Sequence, residues 1–374
     1  MTLHKTVEMA RKFFLGVLLG IAAIFVLMLI FRLGVMIKNT IFPPKVMPAN
    51  HAFGILPTIS FPKNATNANL TYEINTVTGE LPDFQDRINV YPISQPQPNL
   101  VNLNKAKSKV RKLGFVNESG ILLPETPIGD ANYTWAENTG IGRRMTFDTI
   151  TFDFNLKSNF LSSPTVNEAK LLSNEENAIK QTAMFLNLLE LLPPDVDMTK
   201  SQSELFSIQN GLLTPETNLL RAKVIRIDLY QNDVEYNLNT GVPDLAGGFK
   251  EVEMTIPIAY PHPPYSTMNF LIASGDQSAE VVSANFIHKT PIFDNTDTAT
   301  YYIKTPTDAF DELKNGKAYI ASYAGSKTTV VINNIYLAYY LGEEKQEYLM
   351  PVIVFEGDDG FVAYVSAVKT EWVK

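Results

Sequence analysis

FFLGVLLGIAAIFVLMLIF, residues 13–31, is a run of nineteen residues with no charge and no strongly polar side chain. As a helix rising ~1.5 Å per residue it would measure about 28 Å, close to the ~30 Å hydrocarbon core of a bilayer. Arg32 interrupts the run, and Leu33 to Ile37 continue it as far as Lys38. A charge near the end of a span reaches the headgroup layer along its own methylenes. The stretch therefore reads as a membrane-spanning helix over 13–37, with Lys12, Arg32 and Lys38 at its interfaces. The run exceeds the ~7–15 apolar residues of a cleaved signal peptide, and IFPP at 41–44 offers no small-residue cleavage site, so an uncleaved signal-anchor is expected. Long segments after a span translocate largely regardless of flanking charge. The expected topology is a single pass through the cell membrane, with a cytoplasmic tail (1–12) and an extracytoplasmic body. Gly16 and Gly20 stand four apart, a spacing that suits a helix-dimer face and hence a homodimer, although glycine is also common in membrane helices generally.

The chain carries 31 basic and 39 acidic residues, a net charge of −8. Residues 1–37 hold Lys5, Arg11, Lys12 and Arg32 against Glu8, so the remainder carries −11. An acidic body of this kind disfavours nucleic acid and anionic headgroups as partners. The absence of cysteine excludes disulfides, thiolate metal sites and cysteine nucleophiles. A thiol-free exterior domain of this size points to a bacterial cell envelope.

Working outward from the span, residues 38–66 hold Pro43, Pro44, Pro48, Pro57 and Pro62 and read as an extended stalk. Ile55, Leu56, Ile59 and Phe61 suggest that its far end docks on the body. Three modules are expected beyond it, over 67–165, 166–299 and 300–374. Alternation predicts strands at 70–74, 88–91, 222–230, 252–259, 268–273 and 279–287, and one long strand over 145–157 with Ile150, Phe152, Phe154 and Leu156 on one face. A helix is expected over 105–113, stopped by Gly114 with Phe115 packing beyond it. A second should open at a capping box, Ser173 to Glu176, and run to about Leu192. A third has Thr305 at the cap, Pro306 next and Asp308 third. Strands at 329–341, 348–355 and 361–368 follow, the last two joined by a turn over 356–360. The fold class is therefore α+β: an N-terminal transmembrane helix, then two to three modules of antiparallel sheet with helices packed on one face.

The C-terminal stretch IYLAYYL (335–341) and YLMPVIVFEG (348–357) resembles the closing strands of YycH/YycI-type and PepSY-type extracytoplasmic domains of bacteria. The plan of short tail, single span and helix-plus-sheet modules is similar too. That resemblance implies a non-catalytic, membrane-anchored regulatory domain that binds a partner membrane protein such as a sensor kinase. It carries over no partner-contacting residue, and the strands between 220 and 290 depart from the pattern.

Little in the chain points to chemistry. His4, His51, His262 and His288 have no second histidine at ligand spacing, so no metal site is expected. There is no Gly-x-Ser-x-Gly elbow and no Walker-type phosphate loop. Gly140-Ile-Gly142-Arg-Arg lacks a following helix and reads as a turn. Glu356, Asp358 and Asp359 are explained by a hairpin turn more simply than by a cation site. Lys105, Lys107, Lys109, Arg111 and Lys112 cluster on one expected helix. Lys105, Lys109, Arg111 and Lys112 would form a patch for an acidic partner, if the face is more than a solvated one. The expected function is a non-enzymatic, cofactor-free envelope protein that binds or regulates a membrane partner. The alternative is a surface module for wall polymer or glycan, with Tyr91, Tyr133 or Tyr265 stacking on sugar rings. An envelope hydrolase ranks third, because two carboxylates at suitable separation leave no local signature.

Overall fold

The computed structural model describes residues 3–41, 48–66, 69–138, 140–170, 173–243, 249–275, 279–293 and 298–374. Along the chain come α1 (Leu3–Ile41), β1 (Thr71–Ile74), β2 (Arg87–Pro92), α2 (Leu100–Lys112), β3 (Thr126–Pro127), β4 (Asn132–Ala136), β5 (Arg144–Asp148) and β6 (Phe154–Lys157). Then follow α3 (Pro164–Glu168), α4 (Glu175–Leu188), β7 (Gln202–Gln209), β8 (Leu212–Pro215), β9 (Val224–Leu229), β10 (Val234–Pro243), β11 (Phe249–Ile256) and β12 (Ile258–Ala259). The remainder is β13 (Met268–Ser274), β14 (Ala279–Phe286), β15 (Ala299–Tyr302), α5 (Pro306–Lys314), β16 (Tyr319–Ser322), β17 (Thr329–Tyr340), β18 (Tyr348–Gly357) and β19 (Phe361–Ser366). The chain divides into two compact units: Met1–Pro48 with Glu235–Thr255, and Ala49–Val234 with Ile256–Lys374.

The first unit holds α1 and the two-stranded β10–β11 sheet. Within α1, Phe13–Gly34 is long and apolar enough to cross a membrane, and every residue of that stretch is exposed. A helix apolar on all sides has no single face to bury against a soluble core.

The second unit contains two sheets. One has nine strands, all antiparallel, in the order β3-β4-β5-β6-β14-β13-β9-β7-β8. Ala106 and Val110 of α2 and Ala178 and Leu186 of α4 pack on one face of it with Ile225, Ile227, Phe270 and Ile272. The neighbouring Val224 and Ala273, which point the other way, pack with Phe160, just before α3, and with Val166 of α3. The other sheet has eight strands, with a path β1-β17-β18-β19-β16. Here β1 and β12 run parallel to β17, and β2 joins β18 to β15. The fold is thus α+β, with few helices and one mixed sheet. Pairing does not follow chain order: β6 lies beside β14, and β1 and β2 join the C-terminal strands.

Local chemistry explains several helix ends. Asn99 caps α2 by accepting from the Val101 amide at 2.9 Å. Gly114, at φ +84°, ends that helix where a side chain would be strained, and Phe115 is fully buried just beyond. α5 opens with the expected capping box between Thr305 and Asp308, with Pro306 in its first turn.

Three expectations are corrected. The expected single strand over 145–157 folds into the β5–β6 hairpin. Asp148 Oδ1 accepts from the Ile150 and Thr151 amides at 2.7 and 3.1 Å, and Phe152 takes φ 62°, which turns the chain back. The cap of α4 is Asn174, not Ser173. Ser173 is buried and its hydroxyl donates to the Asn174 carbonyl, while Asn174 accepts from the Asn177 amide at 2.8 Å. That helix ends at Leu188, not Leu192, because Glu190 at φ 54° leaves the helical path.

Residues 49–66 are part of the second unit. Leu56 is fully buried and pairs in parallel with Val373. The His51 ring stacks on Trp372 at 3.7 Å, and Phe61 stacks on Tyr319 at 5.1 Å.

Candidate functional site

The residues singled out in the sequence do not converge. Arg32 is exposed within α1. Lys12 and Lys38 fall within the helix, but their side chains lie outside the described residues. Gly16 and Gly20 are exposed, with nothing within 4 Å of where a Cβ would stand.

On α2 the expected basic patch is divided. Lys105 and Arg111 are exposed. Lys109 is buried and its ammonium donates to the Leu189 carbonyl at the end of α4, with Glu190 at 3.9 Å. Lys112 pairs with the same Glu190, and Lys107 pairs with Glu125 at 2.5 Å. Much of the cluster therefore closes the C-terminus of a neighbouring helix, where unpaired carbonyls favour cations. Burial lowers the Lys109 pKa, and Glu190 opposes that shift.

Other motifs resolve into structure. Arg143 forms a two-pronged pair with Glu137, at 2.9 and 2.6 Å, and lies over the Phe115 ring. Asp358 accepts from Asn333 at 2.6 Å, inside the hairpin turn expected there. Of the three tyrosines considered for sugar stacking, Tyr91 is buried and Tyr133 half-buried. Among the described residues no group of three His, Asp or Glu side chains is placed to hold a metal ion.

His288 enters a buried polar network that spacing alone does not suggest. Its Nε2 lies 2.8 Å from Asp195 Oδ1, and its amide donates to Asp153 Oδ1 at 3.0 Å. Gln231 donates to Asp195 Oδ2 at 2.7 Å and to the Lys289 carbonyl at 2.9 Å. Burial pushes the Asp195 carboxyl up, but the bond and charge of His288 and the Gln231 amide outweigh it, leaving its pKa below the ordinary value. Asp153, more deeply buried, is shifted upward by desolvation. The histidine resembles the base-and-orienter half of a hydrolytic triad, yet its bonds run to carboxylates rather than to a hydroxyl nucleophile. The network ties the end of β14 to the loop after β9.

The most distinctive concavity lies where the β9 end of the nine-stranded sheet meets β17, β18 and β19. It is a cleft of 140 Å³ lined by Tyr230, Tyr260, Tyr265, Tyr336, Tyr364 and Glu356 together with aliphatic and proline residues. Each phenol is engaged within the protein. Tyr230 donates to the Pro264 carbonyl at 2.5 Å, Tyr364 to the Tyr260 carbonyl at 3.0 Å, and Tyr265 to Glu204 at 3.2 Å. Tyr260 accepts from the Gln231 amide at 3.0 Å, and Tyr336 donates to Glu356 Oε1 at 2.6 Å. Burial raises the pKa of Tyr230, Tyr260 and Tyr364, and for Tyr336 the adjacent Glu356 adds to the rise, so these phenols stay neutral. Tyr265 carries the Arg226 guanidinium 3.9 Å from its ring centre. A second, more open cleft of 760 Å³ is lined by Glu137, Arg143, Asn159, Ser163 and Glu280. Its arginine is already paired with Glu137.

No protein-family model matches the chain, and no curated protein matches it. Among solved structures, the chain is similar to an uncharacterized protein from Eubacterium rectale ATCC 33656, at 13% sequence identity. The likeness covers 82% of this chain and 92% of that one, with a TM-score of 0.35, too shallow to bear on function.

Proposed function

We propose that this chain is a non-catalytic, single-pass membrane protein of the bacterial envelope that carries an extracytoplasmic body and engages a partner membrane protein. The observation behind this reading is α1, whose stretch Phe13–Gly34 exposes apolar side chains on every side. Such a surface is stable in lipid or against other apolar helices and costly in water. The long acidic, cysteine-free segment after it favours an outward-facing body. A sensor kinase is the first candidate partner, on the strength of the strand pattern over 335–357.

The native absence of cysteine makes the topology directly testable. Single substitutions Thr2→Cys and Ser326→Cys are labelled with a membrane-impermeant maleimide on intact cells. Labelling at 326 alone, with position 2 reacting only after lysis, is the expected result, and the reverse pattern rejects the orientation. Crosslinking in the membrane before detergent extraction then tests the second half. Failure to recover a stoichiometric membrane protein, with either the native sequence or Gly16→Leu, rejects the regulatory role.

A further inference from the structure

The tyrosine-lined cleft is built like a receptor for a particular kind of charge. Its lining contains one carboxylate, Glu356, and no lysine or arginine. Glu356 accepts from Tyr336 at 2.6 Å and from Asn334 at 3.2 Å, both neutral donors, and among the described residues it has no cationic partner. The aromatic faces add negative potential of their own, since a ring's quadrupole attracts cations. On the same wall Tyr265 already holds the Arg226 guanidinium over its ring, and Asp228 neutralises that arginine at 2.6 Å. The site thus offers an unneutralised carboxylate framed by aromatic rings.

The committed phenols narrow the choice of ligand. With every hydroxyl bonded internally, the cleft has little to offer a sugar, which is selected by hydrogen bonds. A divalent cation wants six or more oxygens, and here there is one carboxylate. A primary ammonium needs acceptors for three protons. A methylated ammonium needs none, because its charge is spread over methyl groups that rest against rings. At 140 Å³ the cleft also falls below the ~300–1,000 Å³ of drug-sized pockets, so the occupant is a headgroup. Tyr265 is 37% exposed and leaves one side open to solvent.

We propose that this cleft binds a quaternary ammonium group of the choline type, with Tyr230, Tyr260, Tyr336 and Tyr364 forming the aromatic wall, Tyr265 the rim and Glu356 the counter-charge. The inference is independent of the membrane topology argued above. The headgroup could be offered by a lipid or by a free solute, and the two sources are separable.

The full chain, purified in a maltoside detergent, is titrated with choline by calorimetry. Saturable one-to-one binding is expected, and Glu356→Gln should weaken it by about tenfold or more, as should Tyr265→Ala more modestly, from charge and cation–π contributions of this size. The neutral isostere 3,3-dimethylbutanol should bind about tenfold more weakly than choline and be indifferent to Glu356→Gln. Thermal melting of each variant shows whether it is folded, and Tyr265→Ala, at the exposed rim, serves if Glu356→Gln is not. Choline-competed capture on phosphatidylcholine but not phosphatidylglycerol vesicles assigns the lipid source. Binding of choline without that vesicle preference assigns the free solute. The proposal is overturned by absence of saturable choline binding, by equal affinity for dimethylbutanol, or by tighter binding of butylammonium than of choline.

Discussion

The nine-stranded and eight-stranded sheets share one unit of the molecule but bury different material. The first packs Trp135, Phe147, Phe154, Phe270 and Phe286 with aliphatic residues beneath α2 and α4, an interior that owes its cohesion to apolar area and close fit. The second buries Tyr301, Tyr319, Tyr339, Tyr340 and Tyr364, and threads most of their hydroxyls to backbone carbonyls. Tyr301 reaches Gly54, Tyr319 reaches Pro261, Tyr339 reaches Asn89 and Tyr364 reaches Tyr260, all within 2.8–3.0 Å. The Gly54, Tyr260 and Pro261 carbonyls belong to connecting segments, and the Asn89 carbonyl to β2. Tyr301, Tyr319 and Tyr364 therefore hold irregular chain onto a sheet, a task phenylalanine cannot perform.

The contrast can be broken or sharpened by substitution, read as unfolding free energy from urea titration of the full chain in detergent. The largest effect is expected from Phe270→Ala, which empties the middle of the apolar interior and should cost about 3–5 kcal/mol. Lys109→Met should cost about 1–3 kcal/mol, because it leaves the Leu189 carbonyl without its donor. Lys105→Ala, on the exposed side of the same helix, should stay within about 0.5 kcal/mol. In the tyrosine-rich interior, Tyr319→Phe should cost about 0.5–1.5 kcal/mol by releasing the Pro261 carbonyl. Tyr340 is the exception, since among the described residues its buried hydroxyl has no hydrogen-bond partner. Tyr340→Phe should therefore match or exceed the native stability, and a loss as large as that of Tyr319→Phe would refute the division of labour.

The smallest effect concerns pH. Burial lowers the His51 pKa from its ordinary 6.5, with Glu371 pulling the other way. The unfolded chain then binds a proton below about pH 6.5 that the folded chain resists, so stability falls on acidification through that window and is restored above it. His51→Phe, which keeps a ring over Trp372, should flatten the pH 5–7 dependence of melting.

How much was legible beforehand follows the range of the interactions involved. Thr305, Pro306 and Asp308 sit within one turn of chain, and their capping role is evident from composition alone. The membrane-length helix is equally local. The alternation over 145–157 misleads because Asp148 can trade strand pairing for a turn with the amides two and three residues on. Asn210-Gly211 is the opposite case: a hairpin signal is present, both residues take positive φ, and β7 and β8 pair around them. Its polar, weakly alternating flanks, QSELFSIQ, conceal it. The basic cluster on α2 is visible in sequence, but its partner Glu190 is not, lying 78 residues from Lys112. The tyrosine cleft had no signal at all, since its side chains come from stretches near 230, 260, 336 and 364 that only sheet pairing assembles.

The bridge between Leu56 and Val373 has a mechanical corollary. The Leu56 amide donates to the Trp372 carbonyl, and the Lys374 amide to the Leu56 carbonyl, each at 2.8 Å. Residues 370–374 thereby act as a buckle across the segment around Leu56. Pulling along the chain loads the bonds of Asn50 and His51 to Thr300 of β15, then the His51–Trp372 stack and those two bonds. Trimming after Lys369 would remove the buckle and the stack and leave the segment held by the bonds of Asn50 and His51 to Thr300.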